Sequence, residues 1–247
     1  MADVRIGTVD LPDRMERDRY FQELDYLELS ALFAGPLNSA VLAKWAAVTP
    51  KDTVGLVAPF VLTHRQPPRG SKLWAHDLSV GDFRDSGLGR VALGQLGEAI
   101  TKLGARCAVF RSPPLFAASQ ANRDTLKKFF TELATPEAVG GRVWVPDGLW
   151  DARTAVKFAT EIGVTAAIDP LAREPGQPLE SFFDLEASSL YFRITGLNQP
   201  LSAEKQDDLA ALVEHYQAIP LTVAFDSPSR WQDARALRSL LREGALD

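Results

Sequence analysis

Short apolar runs alternate along the chain with stretches whose apolar residues recur at helical spacing, the pattern of βα units around a parallel sheet. Eight runs read as strands: Val4–Val9, Tyr26–Ser30, Val54–Pro59, Arg106–Phe110, Arg142–Val145, Thr165–Ile168, Leu190–Ile194 and Leu221–Phe225. A helix is expected around Arg14–Leu24. Asn38 caps the next one, which buries Val41, Leu42, Trp45 and Val48 and stops at Pro50. Leu93, Leu96, Ile100 and Leu103 form one helical face closed by Gly104. Leu126, Phe129, Phe130 and Leu133 form another. Asp151 caps a helix with Ala155, Phe158, Ala159 and Ile162 inward and Gly163 at its end. Ser202 caps a helix burying Leu209, Leu212, Val213 and Tyr216, and Ser227-Pro228 opens the last, with proline at its first position.

The sixth crossover, Leu171–Ser189 with Pro175 and Pro178, carries at most a short or distorted helix. Eight such units in 247 residues predict an α/β fold, a single (β/α)8 TIM-barrel-like domain spanning 1–247 with an irregular sixth crossover. A doubly wound open sheet is the alternative. Its glycine-rich phosphate turn is absent, since Gly7-Thr8-Val9-Asp10 ends the first strand. The connection Phe60–Gly89, with Arg65-Gln66-Pro67-Pro68-Arg69-Gly70, reads as an accessory and mobile loop.

Composition narrows the function. Hydrophobic residues at 46% and charged residues at 24% are ordinary for a globular domain. No apolar run approaches the ~20 residues of a membrane span, and the first residues lack a signal-peptide pattern, so no membrane association is expected. A single cysteine, Cys107, fits a reducing cytoplasm and core packing. The net charge of −5 argues against a nucleic-acid partner. No cofactor motif and no metal-ligand set stands out.

Several fragments, in order, carry a resemblance. They are Ile6-Gly7-Thr8, Tyr26-Leu27-Glu28-Leu29-Ser30-Ala31-Leu32-Phe33, Lys44-Trp45, Thr49-Pro50 and Ala58-Pro59. Thr63-His64, Pro113-Pro114 with Phe116, Trp150, and Tyr191-Phe192-Arg193 with Gly196 continue the series. Together they resemble the YecE-like family, domain of unknown function number seventy-two, whose motifs run I-G-T-S-G-W, V-E-I-N-S-T-F-Y, K-A-P, I-T-H, L-P-P, E-F-R-H-P and Y-V-R-x-H-G. The resemblance implies a TIM-barrel-like fold. It also implies a divergent member: the family's lysine before A-P is Val57, its E-F-R-H becomes Trp144-Val145-Pro146-Asp147, its late histidine is Thr195, and the paired asparagines after the last strand are Asp226-Ser227.

Barrel sites form where strands end at the C-terminal face. Helix-facing positions are apolar, so alternation places Glu28 and Ser30 on strand two, and Tyr191, Arg193 and Thr195 on strand seven, in the lumen, with Asp226 near the mouth. The same reasoning takes Val143 and Val145 as helix-facing and directs Trp144 into the barrel, beside Gly55 and Val57. Glu28 and Asp226 suit a general acid and base, or a divalent cation; the structural alternative is a buried Glu28–Arg193 ion pair. His64 suits a general base or a loop hydrogen bond, and Arg111 an anion contact or a solvated loop. Asp10, Asp147 and Asp169 follow strands and suit turns or caps.

Two functions follow. The first is a barrel whose site has been rewritten, a possible pseudoenzyme binding a small molecule or a protein through Arg193, His64, Trp144 and Arg111. The second is a small-molecule hydrolase or lyase using Glu28 and Asp226. A plugged mouth favours the first, and a deep pocket holding both carboxylates favours the second.

Overall fold

The computed structural model describes residues 3–69, 74–146, 149–173 and 177–244. The strands are β1 (Val4–Val9), β2 (Tyr26–Leu29), β3 (Val54–Val57), β4 (Cys107–Arg111), β5 (Gly141–Val145), β6 (Thr165–Ile168), β7 (Leu190–Ile194) and β8 (Leu221–Phe225). Each pairs in parallel with the next, and β8 closes on β1 through Val4↔Leu221 to Thr8↔Phe225. The fold is a closed (β/α)8 barrel. The surrounding helices are α1 (Arg17–Glu23), α2 (Ala31–Ala34), α3 (Ser39–Ala46), α4 (Phe60–Thr63), α5 (Gly87–Leu103), α6 (Gln120–Lys128), α7 (Pro136–Val139), α8 (Ala152–Glu161), α9 (Ala203–His215) and α10 (Arg230–Glu243). Among the described residues no helix is long and apolar enough to cross a membrane.

Local chemistry sets the helix ends. The side chains of Asn38, Ser86, Ser119, Asp151 and Ser202 each accept a backbone N–H of the first turn, which satisfies a donor that has no partner within the helix. Gly104 ends α5 at φ 59°, a left-handed conformation that glycine adopts without penalty. The sixth crossover is irregular as expected, with one 3₁₀ turn at Leu179–Phe182; Pro175 lies outside the described residues.

Two apolar layers result. The outer layer joins strands to helices and includes Leu27, Leu29, Phe110, Phe192, Ile194, Val223 and Phe225. The inner layer fills the lumen with Val9, Tyr26, Val57, Cys107, Val109, Val143, Val145, Ala167, Tyr191 and Ala224. Gly55 leaves room for it, because a Cβ there would stand 2.0 Å from the Tyr26 hydroxyl.

Four expectations are corrected. Val143 and Val145 face the lumen, and Trp144 turns outward against Trp150 and Phe158 on α8, at ring distances of 4.8 and 6.0 Å. Both faces of a barrel strand are buried, so an all-apolar Val-Trp-Val run has no polar phase to reveal its orientation. In α3 only Leu42 is fully buried; Trp45 stays half-exposed beneath the Arg17 guanidinium, 4.0 Å from the ring centroid. The last helix begins at Arg230 rather than at Pro228, because Ser227 turns inward and donates its hydroxyl to Asp233 at 2.5 Å. Finally, the described part of the Phe60–Gly89 connection, which excludes residues 70–73, is anchored on the barrel by buried side chains rather than accessory. Phe60, Val61, Leu62, Trp74, Val80 and Phe83 are buried, and Trp74 donates to the Leu32 carbonyl at 3.0 Å. Gly70 lies outside the described residues.

Candidate functional site

The C-terminal ends of β2, β7 and β8 bring Glu28, Arg193 and Asp226 together. Glu28 is 0% exposed. Its Oε1 accepts from Arg193 Nε at 3.2 Å and its Oε2 from the Tyr191 hydroxyl at 2.6 Å. Arg193 extends to Asp226, with Nη1 2.9 Å from Oδ2. Burial alone would lower the pKa of the guanidinium, but the Glu28 and Asp226 carboxylates outweigh it and the net direction is up. Arg193 is therefore a fixed cation between two acids.

Below this triad the column continues. The Tyr191 hydroxyl, its one proton committed to Glu28, also lies 3.2 Å from the Tyr26 hydroxyl, which in turn lies 3.6 Å from Cys107 Sγ. Burial first, then the Glu28 carboxylate, holds the Tyr191 phenol well above its usual range, and burial pushes the Cys107 thiol up to about 12. These groups stay protonated at neutral pH and act as donors. The lumen below the mouth is occupied by their side chains and by valines, with no polar ligand required to satisfy Glu28.

The aspartates that follow strands tie neighbouring strand ends together. Asp10 accepts the Ser30 backbone N–H at 2.8 Å and its hydroxyl as well. Asp169 accepts the Thr195 backbone N–H at 2.8 Å and hydroxyl at 2.7 Å. Both serve as turn and strand-end anchors; Asp147 lies outside the described residues.

His64 leaves the end of α4 beside the mouth rather than in its centre. Its Nδ1 is 2.8 Å from the buried Thr63 hydroxyl, and its ring packs edge-on against Phe33 at 5.1 Å. Burial and then the Arg111 cation push its pKa down to about 4, so it is a neutral imidazole at pH 7. Arg111 lies with its guanidinium 5.9 Å from the Phe33 ring centroid. Trp144, expected in the lumen, is buried behind the barrel wall with its indole N–H on the Ser112 hydroxyl at 2.8 Å, so it lines no site.

A cleft of about 460 Å³ opens beside His64. One wall is His64, Arg65, Gln66 and Asp82; the other is Pro113 to Phe116 with Asn122. The first wall is held by a turn, Gly81-Asp82-Phe83, with all three residues at positive φ. Their N–H groups donate to the carbonyls of Val61, Thr63 and Leu62, closing the end of α4, and Phe83 is driven into the phenylalanines behind. A Cβ on Gly81 would come within 2.4 Å of the His64 backbone, so glycine is required there. Asp82 turns back to pair with Arg65. Sequence alone does not reveal this cleft, because Asp82 comes from a loop without periodic signal and Asn122 from the first turn of α6, two elements far apart in the chain. Tyr191 and Tyr26 did carry one: each stands two residues before a charged lumen residue and shares its face.

No known family model matches the sequence. No curated protein matches it significantly either. Solved structures do. The fold is similar to that of a D-psicose 3-epimerase in the presence of D-fructose, with a TM-score of 0.58 at 10% identity, covering 97% of this chain and 98% of the other. It is also similar to a DUF72 family protein from Enterococcus faecalis, with a TM-score of 0.68 at 12% identity, covering 97% of this chain and 95% of the other. The chain thus has a (β/α)8 barrel whose fold is similar to that of a member of the family its motifs resemble.

Proposed function

We propose that this barrel binds a small molecule beside its mouth and does not use Glu28 and Asp226 as an acid–base pair. The observation that carries this reading is the state of Glu28: 0% exposed, with one oxygen on Arg193 and the other on Tyr191. A general acid or base must reach the proton it transfers, at about 3 Å or through one water. Glu28 is closed off from such an approach by its own partners. Asp226 retains partial exposure at 35%, yet it spends an oxygen on Arg193.

The cleft at His64 supports binding instead, since its volume falls within the range of small-molecule sites, about 300–1,000 Å³. A ligand of the native state raises its stability by RT ln(1 + [L]/Kd). A metabolite-library thermal-shift screen is therefore expected to yield compounds that raise the Tm of the parent and of Glu28→Gln by similar increments, with no turnover by either. Turnover of a hit by the parent that Glu28→Gln abolishes would overturn the reading in favour of a hydrolase or lyase. Stable capture of a protein partner with no small-molecule hit would overturn it in favour of protein binding.

A further inference from the structure

The cleft beside His64 has a chemistry that narrows its ligand. Its charges are internally balanced. Arg65 is paired with Asp82 on the same wall, and His64 is uncharged at neutral pH because burial and the Arg111 cation hold its pKa down. An anion entering here would meet Asp82 and a cation would meet Arg65, and either would have to compete with the pair these two make.

The hydrogen-bonding groups are of mixed sense. Asn122 uses one N–H on the Ala117 carbonyl at 2.8 Å, leaving its amide oxygen and second N–H for a ligand. His64 commits Nδ1 to Thr63 and keeps Nε2. Gln66, on the exposed rim, contributes a second amide with both senses. Closely spaced donors and acceptors match hydroxyl groups, each of which donates once and accepts twice.

The wall that carries Asn122 is otherwise apolar, formed by Pro113, Pro114, Leu115 and Phe116. Leu115 is 82% exposed and held at φ 65°. A leucine in the left-handed region costs on the order of 1–2 kcal/mol, and this one recovers nothing by burial. Across the cleft, Asp82 is also left-handed, at φ 54°, a region that aspartate adopts more readily than leucine does. An exposed leucine held in the left-handed region at the cleft marks a surface shaped for contact with something outside the chain.

We propose that this cleft binds an uncharged polyhydroxylated molecule, a monosaccharide or polyol, with Asn122, Gln66 and His64 bonding its hydroxyls and the Pro113–Leu115 wall covering its C–H face. The assignment rests on the binding function proposed above. It concerns neutral ligands only, and inorganic phosphate is the competing probe.

The test titrates the full chain with D-glucose, D-fructose, D-xylose and sorbitol, and separately with inorganic phosphate, following side-chain amide and imidazole NMR signals. At least one neutral compound is expected to bind with Kd in the millimolar range or tighter and to shift the Asn122 and His64 signals. Gln66→Leu, at an exposed position that leaves the fold intact, and Asn122→Leu should each weaken it about five- to tenfold. Phosphate binding at these residues without neutral binding overturns the ligand class and leaves the binding function standing. No neutral binding up to about 100 mM also overturns it. Chemical conversion of a bound neutral compound would instead count against the preceding proposal, and the product separates that failure from this one.

Discussion

Glu28 has two partners, a cation on one oxygen and a phenol on the other, and it shares the cation with a second acid, Asp226. Burying a carboxylate is tolerated only with such partners, and removing one partner leaves an uncompensated buried charge. Glu28→Gln removes the attraction to Arg193 but keeps an oxygen for the Tyr191 hydroxyl, and Arg193 keeps Asp226. The expected loss is about 2–4 kcal/mol in urea unfolding. Arg193→Met, which strands Glu28, should cost more. A neutral Glu28→Gln would mean that the pair contributes nothing to stability. The Glu28–Arg193 partnership was legible in the sequence because strand alternation places both on lumen faces. The orientation of Trp144 is not legible in the sequence, for the converse reason. Its neighbours Val143 and Val145 are as apolar as it is, and hydrophobicity cannot distinguish two faces that are both dry.

Elements owe their limits to local groups that the sequence displays. Asn38 and Asp151 cap α3 and α8 through bonds of 2.9 Å to Val41 N and Thr154 N. They cap different helices and share no bonding partner, so Asn38→Ala and Asp151→Ala should each cost about 1 kcal/mol, and the double variant about the sum. Equality of either variant with the parent in chemical denaturation would show that water replaces the cap. Other element features were invisible to pattern. α6 runs on into a π-helical turn at Phe129–Leu133, which seats Phe129 and Phe130 against Phe110 at 5.4 and 5.3 Å. The helical spacing of these residues was read correctly, but the extra backbone residue per turn follows from packing against the barrel. The Gly81-Asp82-Phe83 turn is likewise stabilised by distant partners, the carbonyls at the end of α4, and only its glycine hints at it.

At the scale of the whole molecule, acid tests how the cleft is built. His64 has its pKa lowered from 6.5 to about 4 by burial and by Arg111, with Asp82 opposing. Between these values the unfolded chain binds a proton that the folded chain refuses, so the native state loses stability as pH falls through that window and regains it above about 6.5. The stability advantage of the parent over His64→Gln should shrink by on the order of 2 kcal/mol from about pH 7 to about pH 4, discounting for partial exposure. An advantage independent of pH would show that His64 titrates as in an unfolded chain. The sequence by itself determined the class of fold: eight apolar runs, the helical faces between them, the capping residues and the irregular sixth crossover all express local periodicity or local hydrogen bonding. It also determined the parity of any strand on which a charge interrupts the apolar run, and so the Glu28–Arg193 pair. Only the tertiary structure decided which way Trp144 faces, that Phe60, Trp74 and Phe83 anchor the described part of the Phe60–Gly89 connection, and that His64, Asp82 and Asn122 line one cleft. Those outcomes depend on contacts between residues far apart in the chain, and local pattern carries no information about which distant surface a side chain will meet.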